Sequence, residues 1–385
     1  MRTQATSHLL CRAALGTPST TVDVLTGEEL EEDNGEYVLQ LCANPDGKRV
    51  AAIVSDFSID VRRARRKAET TLPPVARFSG AHRARITGAA WLDATSLISC
   101  DEAGAVYRWS LASPSAAVAV VDAGCALWSL AVGCGGTLLA LGTESTIIFV
   151  NLATGRRLGE FMESHTERVV QLLFHPATPT LLFSCSEDGL VCLFDVSQSG
   201  EENALLTVAN IECAVERIGV FGAKLDHIWV ITGMETLNVW RMNADDCEIV
   251  AAHPAMRDEL RAAGVASAYL LGAVVEPSSQ ELRVMSGDRD GRISLTAVVP
   301  GGALTPIATL AGGHNATVRC FASVRAGSGA AAADVLLTGG EDAQLCAWGA
   351  RAPTPCRALD AAAAGGASGG GAARSAAGAA RASPF

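Results

Sequence analysis

The chain has 385 residues, a net charge of −11 and a hydrophobic content of 49%. An acidic balance argues against a general nucleic-acid-binding protein, which normally carries a basic surface. The 12 cysteines form no C-x-x-C pair. Their scatter therefore favours buried thiols in a reducing compartment over a zinc site or disulfides. The sequence contains neither a phosphate-binding P-loop nor a G-x-S-x-G nucleophile elbow, so we expect no cofactor, no metal and no catalytic site.

The first predicted elements are short strands. Residues 8–13 read as one strand, after an N-terminal extension of residues 1–7. Further along, residues 44–47 (Asn-Pro-Asp-Gly) form a turn between two apolar runs at 37–42 and 50–55. Apolar runs separated by turn residues of this kind predict a β-hairpin.

A basic run follows this hairpin and contains Arg62, Arg63, Arg65, Arg66 and Lys67. Such a run is typical of a nuclear-import signal or a phosphate-binding patch. It is also common in a solvated loop that connects two structural units. We favour the loop.

An uncharged stretch at residues 123–143 is long enough to raise the question of a membrane helix. It contains Gly124, Gly133, Gly135 and Gly136, and two apolar runs at 127–132 and 138–142 flank the last three of them. We therefore predict a β-hairpin here and no contact with a membrane.

Two later stretches follow one template, with a His in a loop, a hydroxyl residue in an apolar strand, an Asp four positions later and an aromatic residue six beyond that. One stretch contains His165, Ser184, Asp188 and Phe194, and the other contains His314, Thr338, Asp342 and Trp348. A partial third set comprises His82, Ser99 and Trp109, with Ala103 where the Asp is expected. Ser286 and Asp290 are predicted as the hydroxyl residue and the turn Asp of one further unit.

The template indicates a buried chain of hydrogen bonds from the aromatic N–H through the hydroxyl and imidazole to the carboxylate. Buried polar groups need partners, so the four residue types are useful only together. The alternative is a catalytic His–Asp pair. Because the spacing already explains these residues as structural, we predict that they stabilise the fold.

The aromatic position recurs through the chain and counts the structural units. Gaps of 41 to 56 residues separate its successive occupants, which are Trp109, Val150, Phe194, Trp240, Thr296 and Trp348. Repeats of about 40 to 45 residues with this template are the signature of a WD-repeat β-propeller. One more unit fits upstream of Trp109, which gives seven; six or eight remain alternatives.

The two stretches that match the template most completely also contain specific sequence motifs. Ser-Glu-Asp-Gly-Leu-Val at 186–191 and Gly-Gly-Glu-Asp-Ala-Gln at 339–344 closely resemble the WD-repeat family, and the resemblance covers roughly residues 8–350. It implies an all-β fold, with seven blades of four antiparallel strands in residues 8–352 and a ring closed by the N-terminal strand. Residues 353–385 are rich in Ala, Gly, Ser and Arg, and we predict that they form a disordered tail.

The resemblance also implies an intracellular protein, cytoplasmic or nuclear, without catalysis. We predict an interaction scaffold, monomeric outside its complexes, that docks a partner protein or peptide on the face bearing the loops before each first strand. One alternative is a substrate receptor of a ubiquitin ligase, although its W-D-x-R motif is missing; another is an enzyme with a site in the central channel. The predicted partner-binding residues are Arg83, Arg85, Glu167, Arg168, Glu187, Asn315, Arg319 and Glu341.

Overall fold

The computed structural model describes residues 5–6, 8–15, 19–22, 29–32, 36–64, 72–276, 279–298, 304–326 and 333–349. These residues form seven antiparallel sheets of four strands each, arranged as the blades of a β-propeller around a central channel. The strands of each blade are called a to d from the channel outward. The predicted all-β, seven-bladed architecture is thus confirmed.

The first four blades are built from consecutive strands. Their bounds are Val38–Ala43, Arg49–Val54, Ile59–Arg63 and Pro74–Phe78 in blade one; Ile86–Trp91, Ser96–Asp101, Ala105–Ser110 and Val118–Asp122 in blade two; Ser129–Gly133, Leu138–Gly142, Ile147–Asn151 and Arg156–Phe161 in blade three; and Val169–Phe174, Leu181–Ser186, Leu190–Asp195 and Leu205–Asn210 in blade four.

The last three blades complete the ring. Their bounds are Val215–Phe221, His227–Thr232, Leu237–Met242 and Cys247–His253 in blade five; Tyr269–Val275, Leu282–Gly287, Ile293–Val298 and Thr305–Leu310 in blade six; and Val318–Ala326, Ala333–Gly340, Gln344–Gly349 and His8–Ala14 in blade seven. The remaining elements are a hairpin of Ser19–Val22 and Glu29–Glu32, the short helices Glu201–Ala204 and Met256–Ala262, and a 3-10 turn at Cys134–Gly136.

The core lies between neighbouring blades. Strands b and c read as nearly continuous apolar runs because both faces of each sheet are covered, as in Leu181–Ser186, where five of six residues are buried. The cluster between blades three and four joins Phe149 and Phe161 to Phe194, with the ring centroids of Phe161 and Phe194 4.9 Å apart. Apolar burial of this kind packs each blade against the next and stabilises the ring.

The N-terminal strand closes the ring, as predicted. His8–Ala14 pairs antiparallel with Gln344–Gly349, so the outer strand of blade seven comes from the opposite end of the sequence. Ala5–Thr6, within the predicted extension, adds a short parallel fifth strand to blade six beside Thr305–Leu310. Two adjacent blades are therefore held by the same N-terminal segment.

The basic run is only partly a loop. Arg62 and Arg63 belong to strand c of blade one, and the Arg62 side chain, 13% exposed, pairs with Asp60 at 2.8 Å between Nε and Oδ1. Arg62 also donates to the carbonyl of Leu72. The prediction of a solvated loop is wrong for these two arginines, because both lie in strand c, and Arg62 occupies the position at which blades two, five and seven carry Trp and blade four carries Phe. Residues 65–67 lie outside the described residues, as does the predicted tail.

The uncharged stretch forms the first hairpin of blade three, as predicted, with strands Ser129–Gly133 and Leu138–Gly142. Across the ranges that the structure describes, no helix combines the length and the apolar character that a membrane crossing requires.

Candidate protein-interaction surface

Blade seven contains a complete chain of buried hydrogen bonds, which we call the relay. Trp348 Nε1 donates to Thr338 Oγ1 at 2.7 Å, and Thr338 Oγ1 lies 2.8 Å from His314 Nε2. His314 Nδ1 lies 3.1 Å from each carboxylate oxygen of Asp342. A neutral imidazole that carries its proton on Nδ1 accepts from the hydroxyl and donates to the carboxylate, so every member is satisfied. The structure thus brings together the four side chains that the template groups.

Blade four has a shorter relay. His165 Nε2 lies 2.7 Å from Ser184 Oγ, and His165 Nδ1 lies 3.0 Å from Asp188 Oδ2. Phe194 at the aromatic position has no N–H to donate, so the relay ends at the hydroxyl. The Phe194 ring instead packs on Phe161 of blade three.

Blade two has a complete relay that the sequence pattern did not reveal. Trp109 Nε1 donates to Ser99 Oγ at 2.8 Å, Ser99 Oγ lies 2.6 Å from His82 Nε2, and His82 Nδ1 lies 2.7 Å from Asp101 Oδ2. The prediction that this blade lacks the acid, because Ala103 stands at its position, is therefore wrong. Asp101, two residues earlier at the end of strand b, contacts the imidazole instead. An Asp two residues after the hydroxyl residue was the available signal.

Blades five and six show what happens when relay members are missing. Trp240 Nε1 is buried without a hydrogen-bond partner among the described residues, because Val230 stands where blades two, four, six and seven have Ser or Thr. In blade six, Ser286 Oγ is likewise unpartnered among the described residues, because Thr296 replaces the aromatic residue and Val265 stands where other relays have the loop His. The turn N–H groups there donate to Asp288 rather than to the predicted Asp290.

The side chains of the relay are shielded from solvent. The side chains of His82, His165 and His314 are at most 1% exposed. Burial alone would raise the pKa of Asp342, but hydrogen bonds from His314 and from backbone N–H groups outweigh burial and hold this pKa below its usual value. Burial lowers the pKa of His82. A carboxylate held ionised and an imidazole held neutral, both out of reach of solvent, suit a structural role.

Strands a of all seven blades line the central channel, which has a volume of about 750 Å³. The loops before strands a and the turns between strands b and c meet at one end of this channel, because strand direction alternates within each blade. We call this end the loop-bearing face. It is the part of the molecule where side chains from different blades converge.

Three arginine–glutamate pairs recur on the loop-bearing face. Each arginine lies at the start of strand a and each glutamate in the turn between strands b and c of the same blade, and the pairs are Arg85–Glu102, Arg168–Glu187 and Arg319–Glu341. Backbone hydrogen bonds align them, such as Glu187 N to Arg168 O at 3.0 Å. Five of the predicted partner-binding residues therefore stand in pairs.

The other three predicted partner-binding residues, Arg83, Glu167 and Asn315, are exposed on the same face. Asn315 also donates its backbone N–H to Asp342 Oδ2 at 3.0 Å, which ties this loop to the relay of blade seven. The structure thus gives Asn315 a backbone role and leaves its side chain at the surface.

Trp128 is a surface residue that sequence reasoning missed. It precedes strand a of blade three, lines the channel and is half-buried. The Arg168 guanidinium lies 3.9 Å from its ring centroid and the Arg85 guanidinium 6.0 Å away, so arginines of blades four and two flank the indole. Trp128 Nε1 donates to Glu144 Oε1 at 2.9 Å. An aromatic residue near the start of the apolar run 127–132 was the only signal in the sequence.

Two further apolar side chains project from the same face. Phe57 and Met234 lie in turns between strands b and c, 38% and 76% exposed respectively. Phe57 has a φ of 66°, in the left-handed region that a bulky residue rarely adopts.

The cysteines agree with the prediction of buried thiols only in part: Cys100, Cys185, Cys192, Cys320 and Cys346 are buried, whereas Cys125 is exposed. Burial raises the pKa of Cys42, Cys100 and Cys320 to about 12, far from the range of a reactive thiolate. Cys185 and Cys192 lie on adjacent strands, but their register places them on opposite faces of the sheet, in different apolar clusters. A disulfide between these two cysteines is therefore excluded by geometry. No metal-binding cluster of His, Cys, Asp and Glu occurs within the described ranges.

Comparison with known proteins agrees with the fold. The family model of the WD domain, G-beta repeat, matches residues 155–195, which include strand d of blade three and the relay His165, Ser184 and Asp188. The WD repeat-containing protein 89 homolog of Dictyostelium discoideum is 27% identical over 270 residues, covering 70% of this chain and 72% of that protein. The WD repeat-containing protein GTS1 of Arabidopsis thaliana is 30% identical over 261 residues, covering 66% of each chain.

Propellers of this kind generally serve as scaffolds for protein interactions. Seven four-stranded blades, the relays within them and these similarities together place the chain in the WD-repeat β-propeller family.

Proposed function

We propose that this protein is a non-catalytic scaffold that docks a polar segment of a partner protein on the loop-bearing face, beside the channel. The observation that carries the proposal is Trp128, held half-buried between the guanidiniums of Arg168 and Arg85. Trp and Arg are the residue types most enriched among the side chains that dominate binding energy at protein interfaces.

The arrangement around Trp128 is preorganised. Arg168 is fixed by Glu187 at 3.0 Å and approaches Glu144 at 3.7 Å, while Glu144 also accepts from the indole. Groups already held in position lose little conformational freedom when a partner binds, so more of the contact energy appears as affinity. The mixed charge of the surrounding pairs suits a partner with both acidic and basic side chains.

The exposed Phe57 supports the same face. A bulky residue in the left-handed region costs of order 1 to 3 kcal/mol, and such cost is usually retained at functional sites. Phe57 therefore extends the proposed surface to blade one, where Arg319 of blade seven also lies 5.9 Å from the ring of Tyr37.

The test is affinity purification from cells, with mass spectrometry, of the wild type and two variants. Arg168→Glu combined with Arg319→Glu reverses two of the recurrent arginines, and Trp128→Ala removes the central indole. Both variants should retain a melting temperature within a few degrees of the wild type, because surface pairs contribute about 0 to 1 kcal/mol each. Both should lose most of the principal co-purifying proteins.

The matched control is Lys48→Glu combined with Arg156→Glu. Both residues are exposed at the opposite end of the propeller, Lys48 in the turn before strand b of blade one and Arg156 at the start of strand d of blade three, and they undergo the same change of charge. This control should retain the wild-type set of partners. If the loop-face variants recover the same proteins at the same yield as the control, the docking surface lies elsewhere.

A further inference from the structure

The central channel differs in charge from the rest of the molecule. Its lining contains Arg85, Arg217 and Arg319 but one carboxylate, Glu216. The whole chain carries a net charge of −11. A concave site with an excess of positive charge in an acidic protein concentrates negative charge from solution, because the channel walls limit screening.

Arg217 is the arginine of this lining whose charge is not neutralised. Arg85 and Arg319 pair with Glu102 and Glu341. Arg217 has no carboxylate within 4.0 Å among the described residues. Burial lowers the pKa of its guanidinium below the usual value, and the nearby carboxylate of Glu216 opposes this shift only in part.

The orientation of Arg217 is nevertheless fixed. Its Nη1 donates to the carbonyl of Leu271 in blade six at 2.8 Å, and its Nη2 donates to the carbonyl of Arg319 in blade seven at 3.2 Å. A guanidinium has five N–H donors in a rigid plane, and these two bonds use two of them. The remaining donors belong to a group that is already held in position at the channel wall, as a preorganised anion site requires.

We propose that the central channel is a binding site for an oxyanion, a carboxylate or a phosphate, which pairs with the Arg217 guanidinium. Planar or tetrahedral oxyanions match the fork of donors and accept charge-assisted hydrogen bonds from it. The channel volume of about 750 Å³ admits a free anion or an acidic side chain inserted from the loop-bearing face. The site does not depend on which residues of that face bind a partner.

The test measures binding of two probes to the purified full chain at constant ionic strength, by titration calorimetry. Inorganic phosphate represents a free anion, and an N-acetylated tetraglutamate peptide represents acidic side chains of a partner. At least one probe should bind the wild type saturably, and Arg217→Gln should weaken that binding about tenfold or more, the loss expected for hydrogen bonds to a charged group. Arg156→Gln, which removes an exposed arginine at the opposite end, should leave it unchanged.

Arg217→Lys guards against a folding defect in the glutamine variant. It retains the charge but loses the fork, so it should bind several-fold more weakly than the wild type while melting cooperatively. Binding of phosphate identifies a free anion as the source, and binding of the peptide alone identifies an acidic side chain. The proposal is overturned if neither probe binds the wild type up to about 10 mM. It is also overturned if folded Arg217 variants bind with wild-type affinity.

Discussion

Replacing Asp101 by alanine should destabilise this protein by about 1.5 to 4 kcal/mol. The substitution leaves the Nδ1–H of His82 buried without its acceptor at 2.7 Å, at a cost of about 1 to 3 kcal/mol. It also removes the acceptor of two turn N–H groups, those of Ala103 at 3.1 Å and Ala105 at 2.9 Å. Water replaces the carboxylate only partly at this turn, so these bonds add about 0.5 to 1 kcal/mol in all.

Thermal denaturation followed by circular dichroism measures the effect. An unfolding entropy of about 2.1 cal/mol/K per residue, over the roughly 310 residues described, makes 1 kcal/mol worth about 1.5 °C. The melting temperature of Asp101→Ala should therefore fall by about 2 to 6 °C. Glu102→Ala is the control, since it removes the adjacent acid from an exposed pair with Arg85 and should shift melting by about 1 °C or less.

A second variant separates the relay from a general effect of the turn. Asp101→Ala combined with Ala103→Asp places the acid four residues after Ser99, as in the relays of blades four and seven, and should recover part of the lost stability. An unchanged melting temperature in Asp101→Ala would refute the role assigned to this carboxylate. Failure of the double variant to recover any stability would show that blade two cannot use the usual acid position.

Three other outcomes follow from particular residues. Ala343→Gly should raise the melting temperature, because a φ of 54° costs a residue with a Cβ roughly 1 kcal/mol more than glycine. In chemical denaturation, Val230→Thr should lower the free energy of unfolding less than the matched change Val191→Thr, because only a hydroxyl at position 230 offers an acceptor to the unpartnered Trp240 Nε1. Equal decreases in the free energy of unfolding would contradict this. Burial lowers the pKa of His82 from 6.5, so as the pH falls the unfolded chain binds a proton more readily than the folded chain does. In thermal melts at successive pH values, the contribution of His82 to stability should be complete above about pH 6.5 and should decrease below it. A melting temperature that does not change below pH 6.5 would count against a neutral His82 in the folded protein.

The repeated template by itself determined the architecture. His, hydroxyl residue, Asp and aromatic residue recur at fixed spacing because each blade is a local unit whose strands are joined by short turns. Local spacing therefore predicts the blade, its relay and the number of blades, even where Thr296 or Val150 has replaced the aromatic residue. The closing strand at residues 8–13 was predictable for a related reason, since a ring of blades must be completed by one end of the chain.

The tertiary structure alone decided which side chains converge. Asp101 serves the relay of blade two because the fold brings its carboxylate to the imidazole, although the spacing differs from the template. Trp128 is flanked by arginines of the two neighbouring blades, and Arg217 reaches a carbonyl 102 residues away across the channel. Contacts of this kind join different repeats, so the spacing of residues within one repeat does not encode them. They depend on the arrangement of the blades about the common axis, which places the starts of all seven strands a around one opening.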